Sequence, residues 1–270
     1  MEKKMIEELI GLIRKAGEEV LEVYDAGKNI GLEYKDDNSP LTEADRRSNN
    51  TITEGLKNLT PDIPVISEEN RSIPYEERKN WGKFWLVDPL DGTKEFIKRN
   101  GEFTLNIALI EEGEPVFGMV SIPAKGMIYY GSKGEGAFSL SLTSEKTEKI
   151  SNKDAVRAGK LKAVASRSHL SEKANLLVEA LGADMVNAGS SLKFILVAKG
   201  EADFYPRFGP THEWDTAAGH AIAEAAGAVV CGLDGKPLEY NKEIFKHDGF
   251  LVCTPSIKDK VIDCVSGITT

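Results

Sequence analysis

Only three cysteines occur in the 270 residues, Cys231, Cys253 and Cys264. An odd number leaves at least one unpaired, and the spacing matches no zinc-binding cluster. Reduced, buried thiols in a cytosolic protein are the reading that follows. Long apolar runs are missing as well. Residues 194–198 are typical of the longest, far short of the roughly 18 residues that a membrane-crossing helix needs. The first eight residues mix acids with lysines and offer no signal-peptide core. Positive charge is in deficit, with 34 Lys and Arg against 43 Asp and Glu, for a formal net charge of −9. That balance argues against a nucleic-acid duplex or an acidic membrane as the main partner. It leaves small phosphorylated ligands open, because bound divalent cations invert the local sign of a carboxylate-rich site. Internal repeats and low-complexity tracts are absent too. What remains is a globular composition, 41% hydrophobic and 29% charged, in a chain long enough for one large domain or two ordinary ones. A cytoplasmic enzyme fits these bounds. Peripheral association with an inner membrane and assembly as a homodimer both stay open.

Apolar residues at three- and four-residue steps predict an amphipathic helix over 5–24. A second helix starts near Thr42, where Thr42 and Asp45 form a capping box with Asp in place of Glu. A short strand at 65–66 leads into Glu68-Glu69, and a polar loop at 70–80 precedes a strand at 84–87. Residues 103–110 and 116–122 read as a hairpin, with further short strands at 128–131 and 137–142. The first half, residues 1–150, therefore reads as an α+β unit with helices on a largely antiparallel sheet. The polar stretch 143–160 is the best boundary, with a loop inside one compact unit as the alternative. Residues 151–270 then alternate strand and helix as an α/β unit: strand 161–165, helices 171–181, 190–199 and 214–226, strands 228–231 and 249–253, and a last helix at 256–265.

The chemistry concentrates at Trp85-Leu86-Val87-Asp88-Pro89-Leu90-Asp91-Gly92-Thr93. Two carboxylates three positions apart at a strand end suit a hard cation with oxygen ligands, such as Mg²⁺. Pro89 stiffens the segment between them, and the Leu90 carbonyl offers another oxygen. The Gly92-Thr93 step offers bare backbone N–H groups and a hydroxyl, suited to a phosphate or a nucleophilic water. Glu68 and Glu69 form a second acidic site, whose value depends on strands 65–66 and 84–87 lying side by side. Asp215, at the start of an alanine-rich helix, is a third acid or simply a helix cap. Asp45 has the same two readings, cap or partner of Thr93 in a water-activating dyad. His212 and His220 are candidate metal ligands, disfavoured because hard cations prefer oxygen. Ser166-Arg167-Ser168-His169, Gly189-Ser190-Ser191-Leu192-Lys193 and the stiff loop around Arg207 supply hydroxyl and cationic groups for a phosphate, or are ordinary surface.

Together these segments resemble the inositol-monophosphatase-like family of Mg²⁺-dependent, lithium-sensitive phosphatases. One signature runs Trp85-x-x-Asp88-Pro89-x-Asp91-Gly92-Thr93-x-x-Phe96 and the other Trp214-Asp215-x-Ala217-Ala218-Gly219. The resemblance implies a layered α-β-α-β-α sandwich of the inositol-monophosphatase/fructose-bisphosphatase type, with an antiparallel sheet in the first half and a mixed sheet in the second. Within the family, the segments around Ser190, Arg207 and Asp215 are similar to bacterial 3′(2′),5′-bisphosphate nucleotidases, which convert adenosine 3′,5′-bisphosphate to AMP in sulfur metabolism. Inositol monophosphate or another sugar phosphate is the alternative substrate. By this resemblance Glu68, Asp88 and the Leu90 carbonyl hold one Mg²⁺, and Asp88, Asp91 and Asp215 a second, with a third, weaker ion in some members. Asp45 and Thr93, with Glu68, carry the catalysis. The scissile phosphate sits against Leu90, Asp91, Gly92 and Thr93, bordered by Glu68 and Asp215. His169, Ser190, Lys193 and Arg207 contact the nucleotide and its other phosphate.

Overall fold

The computed structural model describes residues 1–27, 31–34, 40–70, 73–152, 159–166 and 171–269. Eight α-helices occur among them: α1 (Lys3–Asp25), α2 (Glu43–Leu59), α3 (Tyr75–Arg78), α4 (Thr93–Ile97), α5 (Glu172–Ala180), α6 (Leu192–Ala198), α7 (Glu213–Ala225) and α8 (Lys258–Thr269). They stack with two sheets in five layers. The outermost layer is α1 with α2. Leu9, Ile13, Ala16 and Val20 of α1 and Ala44, Ile52 and Leu56 of α2 recur at helical spacing. They bury against Trp85, Val87, Ile107 and Met119 on one face of the first sheet.

That sheet has seven strands in sequence order: Val65–Ser67, Lys83–Asp91, Thr104–Glu111, Glu114–Ile122, Met127–Ser132, Gly136–Ser141 and Thr147–Ile150. The first pair is parallel and the rest are antiparallel. Alternate residues of these strands (Phe84, Leu86, Ala108, Val120) face α6 and α7, the middle layer. The fourth layer is a mixed five-stranded sheet in the order Asp184–Ala188, Lys162–Ser166, Phe204–Arg207, Phe250–Cys253, Val229–Cys231. Its far face packs on α5 and α8 through Leu177, Val178, Val261 and Val265. The predicted sandwich is the one observed.

Helix α7 reaches the first sheet at backbone contact. A Cβ built on Gly118 would stand 2.2 Å from the Ala218 carbonyl oxygen, so only glycine fits beneath the helix there. The middle layer is thereby seated without a side chain between.

Several elements differ from the sequence expectation. The polar stretch 143–160 contains the edge strand Thr147–Ile150, whose outward residues are charged, as edge strands tend to be. The loop at 70–80 contains α3. The first half of the stiff loop read at 205–210 belongs instead to a strand, Phe204–Arg207. Its pairing with Lys162–Ser166 is confined to Ala163 opposite Phe204, so Pro206 lies past that ladder and forfeits no bond to it. Strand Asp184–Ala188 carries too mixed a burial pattern to stand out in sequence.

Candidate active site

The parallel pairing of Val65–Ser67 with Trp85–Val87 puts Glu68 beside Asp88, the adjacency on which the second acidic site depended. The next feature is a bulge. Asp88 pairs with Asn106 and Asp91 with Thr104, so two residues, Pro89 and Leu90, stand opposite Leu105 alone. In a regular strand, residues three apart point to opposite faces. The extra residue shifts the alternation by one and turns both aspartates toward the α6–α7 side. The bulge has its own supports: the Leu90 N–H donates to Asp88 Oδ1 at 3.0 Å, and Ser48 Oγ donates to the Pro89 carbonyl at 2.6 Å.

From the middle layer, α7 delivers Asp215. Carboxylate oxygens of Glu68, Asp88 and Asp215 lie within 4.8 Å of one another. Asp88 and Asp215 are pushed well above the usual carboxylate range, chiefly by burial and then by neighbouring acids. This is an all-oxygen donor set under mutual repulsion, with Asp88 buried and Glu68 and Asp215 half-buried, and a hard divalent cation fits it. Asp91 stands outside that three-carboxylate group. Its Oδ2 accepts from Ser191 Oγ at 3.1 Å, and burial raises its pKa against the opposing charge of Lys193.

Asp45 is buried at the N-terminus of α2. Its Oδ2 accepts from the Thr42 N–H at 2.7 Å and from Thr42 Oγ1 at 2.5 Å, completing the capping box. The other oxygen, Oδ1, accepts from Thr93 Oγ1 at 3.4 Å, and Thr93 Oγ1 lies equally far from the Leu90 carbonyl. Burial pushes Asp45 up to about 7 despite the Thr42 bonds. Cap and Thr93 partner are therefore both served by one side chain.

Gly92 has φ +88° before α4, and a Cβ there would lie 2.0 Å from Ser190 Oγ. Ser190 itself is left-handed, at φ +48°, with its hydroxyl between the carbonyls of Asp91 at 2.9 Å and Glu102 at 2.7 Å. Lys193 is buried, donates to the Ser190 carbonyl at 2.6 Å and lies 5.4 Å from the Tyr205 ring centroid. Arg207 Nε donates to Thr211 Oγ1 at 3.2 Å. A cavity of about 150 Å³ brings Asp91, Gly92, Ser190, Lys193, Arg207 and Asp215 to one wall. Ser166, Tyr205 and Arg207 also line a second hollow of about 330 Å³. His169 lies outside the described residues.

Neither of the two histidines considered as ligands joins the three-carboxylate group. His212 stacks on Trp214 at 4.6 Å and caps α7, while His220 Nδ1 bonds the Tyr240 hydroxyl at 2.9 Å. Sequence reasoning missed the supporting groups. Asn106 donates to Ser191 Oγ at 3.0 Å behind Asp91, and buried Glu95 borders the cavity. The second serine of Gly189-Ser190-Ser191 was visible in the motif, but nothing in sequence links it to Asp91.

The chain matches the inositol monophosphatase family over residues 1–266. It is 48% identical over 250 residues to the 3′(2′),5′-bisphosphate nucleotidase CysQ of Salmonella typhimurium, covering 92% of this chain and 99% of that protein. Its structure is similar to that of CysQ from Bacteroides thetaiotaomicron, a bacterial member of the inositol monophosphatase family (TM-score 0.80, 41% identity, 93% of this chain and 97% of the other). A Thermotoga maritima IMPase shares the fold at TM-score 0.81 and 24% identity, with 98% of both chains covered.

Proposed function

The chain belongs to the inositol monophosphatase family, and from that membership we propose that it is a metal-dependent 3′(2′),5′-bisphosphate nucleotidase releasing the 3′-phosphate of adenosine 3′,5′-bisphosphate as part of sulfur metabolism. One observation carries the substrate choice. Lys193 and Arg207 share a cavity with Asp91, Gly92 and Asp215, so two cationic side chains adjoin the acidic cluster. A monophosphate has no use for cationic side chains beyond the acidic cluster. A substrate with two phosphates presents one to each, and binding of the remote phosphate helps position the reacting one. The adjoining hollow beside Tyr205 and Phe208 leaves room for the base.

In this reading Glu68, Asp88 and the Leu90 carbonyl would hold one Mg²⁺, and Asp88, Asp91 and Asp215 would hold another, with a third ion as an optional addition. When bound, two such cations supply Lewis-acid charge that stabilises both the attacking and the leaving oxygen. The chain's own groups do the rest. The backbone from Leu90 to Thr93, opened by the left-handed Gly92, receives the 3′-phosphate. Thr42 fixes one oxygen of Asp45, leaving the other for the Thr93 hydroxyl. Thr93 gives its hydrogen to Asp45, so its lone pairs face the water and draw the water's proton toward Asp45. Asp45, ionised beside the bound cations, is the base that receives it. The water oxygen bonds to phosphorus, the bond to the ribose 3′-oxygen breaks, that oxygen takes a proton from solvent to leave as the hydroxyl, and Asp45 returns the proton it received to solvent. Ser190, Lys193 and Arg207, with His169, hold the other phosphate.

Among the described residues no helix is long and apolar enough to cross a membrane, and a cytoplasmic location is part of the proposal. The test is phosphate release from adenosine 3′,5′-bisphosphate and from inositol 1-phosphate at equal concentration, with Mg²⁺, with chelator and with added Li⁺. The nucleotide should be the faster substrate, and turnover should require Mg²⁺ and fall with Li⁺. Faster release from inositol phosphate would replace the nucleotidase reading with the monophosphatase one.

A further inference from the structure

A buried charged network away from the cavity joins the end of α3 to the start of α7. Arg78, at the end of α3 and ten positions after Glu68, is 2% exposed. Its guanidinium lies 3.7 Å from the Phe245 ring centroid, with Tyr75 at 5.1 Å. It donates to Asn241 Oδ1 at 2.8 Å and to the Glu243 carbonyl at 3.0 Å, and Asn241 Nδ2 returns a bond to the Arg78 carbonyl at 2.8 Å. Asn241 is left-handed, at φ +68°. That conformation lets two successive N–H groups converge on one carboxylate. Asn241 N reaches Glu213 Oε2 at 2.7 Å and Lys242 N reaches Oε1 at 3.2 Å. Glu213 is fully buried, opens α7, and precedes Asp215 by two positions.

None of Arg78, Asn241 and Glu213 lines the cavity. Yet one end of the network belongs to the segment following Glu68, and the other to the first turn of the helix that carries Asp215. Glu68 and Asp215 are the members of the cluster drawn from opposite halves of the chain, and like charge drives them apart. We propose that Arg78, Asn241 and Glu213 form a clasp of positioning residues that fixes Asp215 against Glu68 and thereby sets the affinity of the cluster for its cation. The proposal rests on reading Glu68, Asp88 and Asp215 as cation ligands.

The test uses Arg78→Met, which keeps a stem over Phe245 and removes the donors, and Asn241→Gly, which tolerates the left-handed backbone and removes the side chain. Mn²⁺ binding to the metal-free full-length protein is measured by titration calorimetry, beside the Mg²⁺ dependence of nucleotide turnover. Each variant should weaken Mn²⁺ binding by about tenfold, the size expected for a group that orients a ligand, and the double variant should lose no more than about that. At saturating Mg²⁺, kcat and the nucleotide KM should return to within about twofold of the wild type. Should Arg78→Met fail to fold, Asn241→Gly alone decides. Mn²⁺ affinity unchanged in the folded variants, or kcat lost with affinity intact, overturns the clasp. Absence of Mn²⁺ binding by the wild type itself overturns the cation reading and the clasp with it.

Discussion

Removing divalent cations should invert the usual dependence of stability on pH. Asp45 and Glu213 are both buried and both pushed up to about 7, whereas in the unfolded chain they ionise near ~3.9 and ~4.3. Between those limits the folded state holds protons that the unfolded state has released, so stability falls as pH rises and levels off above about 7. From pH 5 to pH 7 each group spans roughly two units at about 1.4 kcal/mol per unit. Together they cost on the order of 5 kcal/mol. For a chain of this length that amounts to a drop of ~10–20 °C in Tm. Asp88, Asp91 and Asp215 are raised as well and act with the same sign. The assay is thermal unfolding in chelator at half-unit steps from pH 5 to pH 8, repeated in excess Mg²⁺. Bound cations favour ionised carboxylates and remove the share of the cluster and of nearby Asp45. The share of Glu213, which faces Asn241 and Lys242 instead, should remain. A chelated protein whose Tm is flat or rises over this interval would refute the burial argument. Identical slopes with and without Mg²⁺ would refute the link between the acids and the cation.

Two substitutions separate the roles around the bulge. Asp88→Asn should relieve repulsion and raise the Tm of the chelated protein by a few degrees, while turnover falls by at least on the order of 10²-fold; thermal unfolding and steady-state kinetics report the two signs, and retained turnover would remove Asp88 from the cation site. Gly92→Ala places a methyl against Ser190 Oγ at a left-handed position. We expect a loss of about 1–2 kcal/mol in stability and roughly 10²-fold in kcat/KM, and kinetics within twofold of wild type would show that the loop gives way.

How much of this was legible before folding depended on whether the signal was local. The faces of α1 and α2 repeat every three or four residues, and the Thr42–Asp45 box lies within one turn, so both could be read from the chain. The acids at 68, 88, 91 and 215 carry compositional and spacing cues that survive as motifs. The convergence of Asp88 and Asp91 had a visible ingredient, Pro89, but its cause is a mismatch with the neighbouring strand at Leu105, which no single strand reveals. Pro206 concealed a strand because its penalty depends on which neighbour is paired. Arg78 falls in the stretch read as a polar loop at 70–80 and Asn241 lies 163 positions further on, and only tertiary packing makes them partners.

The seat of α7 on Gly118 bears on which ion the protein accepts. Mg²⁺ holds oxygens at about 2.0–2.1 Å and Ca²⁺ at about 2.3–2.6 Å, with more ligands. Accepting the larger ion would require the carboxylates to spread, and beyond what side-chain rotation supplies Asp215 gains room only as its helix slides or lifts. The helix backbone already rests on sheet backbone, so there is no side chain to compress and no slack to take up. Two ions of equal charge would then be told apart by radius, with a glycine nearly a hundred positions from Asp215 serving as the gauge.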